Sequence, residues 1–170
     1  MTEKHKKEDT KEAPVSLDEK GKALLSLIPQ ALQQFHPQVS AAVDEVVVTV
    51  SPENLVAAAR VCKEDPRLAF NYFRCLSVVD YEKHLEIVYH IFSLDKRHKM
   101  VIKTTVPEDK PQLPTITTVW PAANWFEREG HDLYGVEFLG HPDLSPLLLY
   151  AGFEGFPGRR SYPFHDYNEW

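Results

Sequence analysis

The sequence predicts an α+β fold: a two-layer sandwich of a mostly antiparallel sheet with helices on one face, followed by an extended C-terminal arm. Three observations predict it. A helical pattern, a β-branched run and a second helical pattern come first, and three strand-like runs with hairpin-length connections follow at Leu76 to Tyr81, Leu85 to Ser93 and His98 to Val106. In the middle run Leu85, Ile87, Tyr89 and Ile91 alternate with Glu86, Val88, His90 and Phe92, so one face is apolar and needs helices over it while the other is wetter. The C-terminal quarter is rich in turn residues and aromatics and has neither period: six of the seven glycines lie at or after Gly130, and six aromatic residues fall between Phe153 and Trp170.

Residues 1–15 mix Lys with Glu and Asp and hold no large apolar side chain before Val15, so they are expected to form a disordered tail. The α+β domain is expected over residues 16–106. Ser16-Leu17-Asp18-Glu19 has the Ser-x-x-Glu form of a capping box, and Leu24, Leu25, Ile28, Ala31, Leu32 and Phe35 recur behind it at helical spacing. Pro29 should kink or split that helix. Glu45 to Val50 reads as a strand, and Ser51-Pro52 then opens a second helix with Leu55, Ala58, Ala59 and Cys62 along its apolar stripe, closed by Asp65-Pro66.

Pro107, Pro111 and Pro114 read as a stiff, exposed linker that ends the sheet, so residues 107–135 form a Pro-rich linker and a further helix. Pro121 is placed to open that helix, with Ala122, Trp125, Phe126, Glu129 and Leu133 on one face and Gly135 as its left-handed end. Residues 136–170 then form the extended arm.

Composition narrows the function. The chain has 170 residues, 19 basic against 25 acidic side chains and a net charge of -6, so its partners should be proteins and not nucleic acid. Cys62 and Cys75 form no Cys-x-x-Cys pair, which argues against an iron-sulfur or zinc site and predicts free thiols. The longest apolar run, Leu147 to Ala151, is far short of the ~18 residues of a membrane helix, and the charged opening residues do not resemble a secretory signal. Gly-x-Ser-x-Gly, phosphate-loop and dinucleotide motifs are absent, so direct NADH or flavin binding is not expected.

Charged residues cluster on the last helix and the arm. Glu129, between Trp125 and Leu133, should be partly buried with a cation or directed at another chain. Arg128 with Asp132, and Glu127 with His131, are spaced for pairing along one helix face. His131-Asp132, His141-Pro142-Asp143 and His165-Asp166 raise a free-standing metal-dependent enzyme as an alternative, but none has the spacing of paired metal ligands, and Asp143 is explained as a turn residue. Arg159 and Arg160, outside the predicted core, are placed to stack on rings and grip carboxylates.

Three islands carry a resemblance: Glu127-Arg128-Glu129-x-x-Asp132-Leu133-Tyr134-Gly135, Gly140-His141-Pro142-Asp143-Leu144, and Arg159-Arg160-x-Tyr162-Pro163. In order and spacing they resemble the 30 kDa subunit family of respiratory complex I, the C subunits of bacterial NADH:quinone oxidoreductase, with a looser likeness back to about Leu24. Ser145-Pro146, Gly158 and Ser161 depart from the family's usual residues there.

The resemblance implies a non-catalytic structural subunit of the peripheral arm, without catalytic, cofactor or metal residues of its own. It would dock the quinone-site (49 kDa-type) subunit to the iron-sulfur subunits while FMN, iron-sulfur clusters and quinone stay in the partners. It also implies a peripheral position on the cytoplasmic side of the bacterial plasma membrane and only indirect contact with the membrane arm. The implied subunit interface comprises Glu127, Arg128, Glu129, Asp132, Tyr134, Gly135, His141, Pro142, Asp143, Pro157, Arg159, Arg160, Tyr162 and Pro163. An equivalent subunit of a membrane-bound hydrogenase or another complex I-like dehydrogenase is the alternative within the same module. The electron donor, quinone and pumped ion belong to other polypeptides.

Overall fold

A computed structural model describes residues 16–163. The expected tail over residues 1–15 and the end of the arm, including His165 and Asp166, lie outside the described residues. Helix α1 (Glu19–Ala31) is capped two residues later than the Ser16 box implies, because Asp18 accepts the Gly21 N–H at 2.7 Å while the Ser16 N–H is drawn to the Val43 carbonyl. Pro29 does not split α1. It sits on the exposed side within the last turn, where the missing N–H removes a single bond and the helix ends anyway.

Five strands form the main sheet in the order β1-β2-β5-β4-β3, with β1 Gln38–Ala42, β2 Glu45–Thr49, β3 Tyr72–Asp80, β4 His84–Ser93 and β5 His98–Pro107. Only β2 with β5 is parallel, so the sheet is mostly antiparallel as the sequence predicts. The edge strand β1 carries no strong sequence signal: its polar and alanine residues have low β-propensity, and it exists as the outer half of a hairpin with β2.

Leu85, Ile87, Tyr89 and Ile91 all point into the core, where Leu24 and Ile28 of α1 and Ala58, Ala59 and Cys62 of α2 (Leu55–Glu64) cover them. The opposite face holds a small Val47, Val88, Val101 cluster among ion pairs such as Lys103 with Glu86 at 2.8 Å. Both cysteines are free, and burial pushes the Cys62 thiol up to about 12, which leaves it a packing group.

The proline segment is not an exposed linker. Pro111 is buried, and Gln112–Pro114 forms β6, which pairs in parallel with β7 (Glu137–Leu139) on the far side of α3 (Ala123–Tyr134). Pro111 and Leu113 turn inward, and the facing pair Leu113 and Phe138 is almost fully buried in the same core as the sheet. The Pro111 carbonyl accepts the Glu137 N–H at 2.8 Å, so a residue without a donor still contributes to the ladder.

Helix α3 ends as expected, with Gly135 left-handed at φ 69° and its N–H on the His131 carbonyl. Its rotation differs from the sequence reading. Ala123, Glu127 and Gly130 are buried and Phe126 packs edge-on against Phe73, whereas Ala122, Trp125 and Glu129 are exposed. The hydropathy pattern placed the apolar face about one residue away because the true inner face contains a glutamate and a glycine. Gly130 allows close packing there, since a Cβ would stand a tight 3.2 Å from the Val78 side chain of β3.

Candidate docking site

Helix α3 carries the charged motif, and the arm is fastened to it in three places. The first is Glu127, whose side chain is shut away from solvent. One carboxyl oxygen accepts the Ile116 N–H at 2.8 Å and the other the Thr115 hydroxyl, both from the segment that leaves β6. His141, brought in by the turn after β7, lies with Nε2 3.8 Å from Glu127 and is equally enclosed. Its Nδ1 accepts the Asp143 N–H at 3.1 Å, so Nε2 carries the proton and donates to the Asn124 carbonyl at 3.2 Å.

Burial pushes the Glu127 carboxyl up to about 7, with the Thr115 hydroxyl and Ile116 N–H opposing the rise. Burial also lowers the His141 pKa, which keeps the imidazole neutral. Glu127 therefore does not pair with His131, whose Nδ1 meets the Val136 carbonyl at 2.9 Å.

The second fastening uses Arg128 and Asp132. They do not pair with each other. The guanidinium of Arg128 donates to the Ser145 and Pro146 carbonyls and the Ser145 hydroxyl at 3.0 to 3.1 Å, so the residues that depart from the family pattern are those that receive it. One oxygen of Asp132 accepts the N–H groups of Leu147, Leu148 and Leu149 at 2.8 to 3.2 Å. Burial works to raise its pKa, but these donors outweigh it and hold the carboxyl below the usual range. Asp143 serves as a turn residue, accepting the Ser145 N–H at 2.9 Å, and Pro142 beside it is exposed. The loop so held presents Leu148 and Tyr150 to solvent at 60% and 73% exposure.

The third fastening is a clasp at the end of α3. The Phe156 ring lies over Gly135, where a Cβ would meet it at 2.5 Å, and the Tyr134 ring lies over Gly158, where the distance would be 2.7 Å. Arg159 closes the clasp: Nε donates to the Tyr134 carbonyl and Nη1 to the Glu108 carboxylate, each at 2.7 Å, and the guanidinium sits 5.0 Å from the Phe156 ring centre. Pro157 is half-buried within it, the Tyr162 ring covers Gly155 and stacks near Phe153, and Pro163 is exposed. Arg160 differs. Its backbone N–H reaches Asp80 at 2.8 Å, but among the described residues its guanidinium pairs with Glu82 alone, both side chains being about two-thirds exposed.

The arginine pair thus divides between an internal fastener and an outward cation. Replacing Arg159 with alanine is expected to lower stability by about 1 to 3 kcal/mol through loss of its bonds to the Tyr134 carbonyl and to the Glu108 carboxylate and carbonyl, and Arg160→Ala by less than about 0.5 kcal/mol. Thermal melting of the two variants checks this; equal melting temperatures would show that the clasp contributes nothing to the fold.

Glu129 is placed differently from its neighbours. It is exposed and has no hydrogen-bonding or ionic partner among the described residues, so the expected intrachain cation is missing. Among the described residues no three His, Cys, Asp or Glu side chains converge as metal ligands. Thr115, the Ile116 N–H and Glu108 complete the site yet escaped the sequence reading, because each acts through a partner more than ten positions away and none lies in a motif.

A five-stranded α+β domain with its C-terminal segment wound on its last helix is the structural class that these features define. The family model of the respiratory-chain NADH dehydrogenase 30 Kd subunit matches residues 48–168, and the chain belongs to that family. It is 41% identical over 126 residues to the C 2 subunit of the NADH-quinone oxidoreductase of Rhizobium etli (strain CIAT 652), covering 72% of this chain and 67% of that one. The C subunit of the NADH-quinone oxidoreductase of Roseiflexus castenholzii (strain DSM 13941 / HLO8) is 39% identical, with 70% of each chain covered. Among solved structures, the trypsin-resistant fragment (1-134) of Nqo5 matches with a TM-score of 0.60 and 26% identity over 71% of this chain and 98% of the fragment. A chain of the membrane-bound sulfane sulfur reductase, an archaeal respiratory membrane complex, has the same fold at a TM-score of 0.73 and 24% identity, covering 85% and 86% of the two chains.

Proposed function

We propose that this chain is a structural subunit of a proton-translocating NADH:quinone oxidoreductase, in which it docks the quinone-site subunit to the iron-sulfur subunits of the peripheral arm. The observation that carries the reading is the fastening of the arm to α3, which ties down the backbone that presents the exposed groups Leu148, Tyr150 and Arg160 beside the exposed Trp125 of the helix. Prearranged aromatic and arginine side chains are the usual anchors of protein interfaces, because little ordering entropy is lost when they bind. Membership of the 30 Kd family and the identity to named NADH-quinone oxidoreductase subunits support the same reading.

In this role the chain contributes position alone. Flavin, iron-sulfur clusters and quinone are held by the partners, and electrons pass from NADH to quinone without entering this polypeptide. In that role attachment to the cytoplasmic face of the plasma membrane runs through those partners; among the described residues no helix is long and apolar enough to cross a membrane.

A second reading, the equivalent subunit of a hydrogenase or another complex I-like dehydrogenase, draws on the fold shared with the archaeal reductase chain. Purifying the tagged chain from detergent-solubilised membranes separates the two. The expected eluate holds a flavin-bearing subunit and quinone-site and iron-sulfur subunits, and reduces quinone with NADH. A nickel-bearing large subunit in their place would favour the second reading, and an eluate of this chain alone would overturn both.

A further inference from the structure

Helix α3 has an outward stripe on which the Trp125 and Glu129 side chains have no hydrogen-bonding or ionic partner among the described residues. Trp125, Glu129 and Leu133 follow one another at four-residue spacing, so they lie in line with about 5 to 6 Å between neighbouring Cβ positions. Trp125 is 67% exposed, large for a tryptophan, and Glu129 has no partner among the described residues. The other charges of the motif are all engaged within the chain: Glu127 by Thr115 and Ile116, Arg128 by Ser145 and Pro146, and Asp132 by the leucine loop.

Beside this stripe runs a groove of about 160 Å³ between α3 and β3, walled by Leu76, Val78, Phe126 and Leu133, with Ser77 and Glu129 at its sides. The strand forming its other wall, β3, ends the sheet and pairs with no strand on its outer side among the described residues. An unpaired strand edge presents backbone donors and acceptors to any extended chain that approaches it.

We propose that the Trp125–Glu129 stripe and the β3 groove form a docking site for an extended segment of another subunit of the complex, and that this segment brings an arginine. Charge complementarity selects the occupant. A carboxylate one helical turn from an exposed indole matches a guanidinium, which stacks on the ring face and gives the carboxylate two parallel hydrogen bonds; a lysine ammonium fits the ring but not the planar fork. The exposed lining of the groove is mainly polar, with Ser77 and Glu129 in it, so the segment's backbone follows β3 and its polar groups face that lining. The groove adjoins the clasp through Leu133 and Tyr134, and the proposal rests on the proposed role as a subunit of a larger complex.

The experiment uses the assembled complex, with the photoreactive residue p-benzoylphenylalanine in place of Ser77, a position that lines the groove and leaves Trp125 and Glu129 intact. Irradiation followed by peptide mass spectrometry should link Ser77's position to another subunit, at a segment with an arginine within about four residues, roughly 13 Å of extended chain. In parallel, Glu129→Gln and Trp125→Ala should release the subunit from the complex at least tenfold faster in a salt wash, with Glu129→Asp partly restoring retention. Both replaced side chains are exposed, so melting of the free variants should match the unaltered chain.

Links to a second copy of this chain, links to a segment without an arginine, no link at all, or unchanged release by Glu129→Gln would each overturn the proposal. If the unaltered chain is in the purified complex and these results still fail, the docking site alone is wrong. If the unaltered chain is absent from the complex, the proposed function falls as well.

Discussion

Replacing Glu127 with alanine is expected to destabilise the domain by about 3 to 5 kcal/mol, the range for breaking an enclosed polar cluster. The Thr115 hydroxyl, the Ile116 N–H and the His141 ring would all face a cavity in place of a carboxyl group. Glu127→Gln should cost much less, because the amide oxygen still accepts a hydrogen bond and the protonated acid that it mimics is the form favoured by burial.

The two variants also carry a pH signature. The folded pKa of Glu127, about 7, lies above its ordinary 4.5, so the folded state binds the proton more tightly than the unfolded one. The stabilising contribution is then fully present below pH 4.5 and is lost as pH rises through 7, a change of about 3 kcal/mol. His141 acts in the opposite sense: its lowered folded pKa gives a contribution present above its ordinary 6.5 that is lost as pH falls. Subtracting the Glu127→Gln profile from that of the unaltered chain removes the histidine part. Urea unfolding between pH 4.5 and 8 should show the unaltered chain losing about 3 kcal/mol relative to Glu127→Gln; parallel profiles would mean that Glu127 is ionised throughout.

Deleting Phe153 to Trp170 is expected to leave a folded domain that no longer enters the complex. Among the described residues, the fully buried core ends at Phe138, with Leu144 packed on its margin, so the deletion removes no core side chain. It does remove the Phe156 ring from Gly135, the Gly158 N–H from the Leu133 carbonyl and the Arg159 bonds, which should lower the melting temperature by about 5 to 10 °C. Of the exposed groups proposed as anchors the deletion removes Arg160, and it also unties the clasp that fixes the end of the arm, so assembly should be lost.

Circular dichroism and melting of the shortened chain, with native electrophoresis of membranes from cells that carry it as their only copy, measure both effects. An unfolded product would make the arm part of the folding unit. A fully assembled, active complex would show the arm to be dispensable.

Local pattern was enough to determine the type of the three α-helices and of strands β2 to β5, but not that of β1, β6 or β7. The alternation of Leu85 to Ser93 fixes which face of β4 enters the core, and Gly135 marks the end of α3, because strand period and left-handed backbone are properties of adjacent residues. The three charged islands likewise suffice to recognise the family, since their order and spacing are read without any fold.

Tertiary structure alone decided how these parts meet. It turned α3 so that Glu127 and Gly130 face inward and Trp125 and Glu129 outward, against hydropathy, because Thr115 and Ile116 supply partners for a buried carboxyl and the glycine at 130 lets the helix pack closely on Val78 of β3. It made the Pro111 to Pro114 segment a strand of the core, since β7, which it pairs with, lies more than twenty residues away. It also separated Arg159 from its neighbour Arg160 by placing Glu108 and the α3 terminus within reach of only one of them. Each of these outcomes depends on contacts between residues distant in sequence, and a period of two or 3.6 residues holds no information about them.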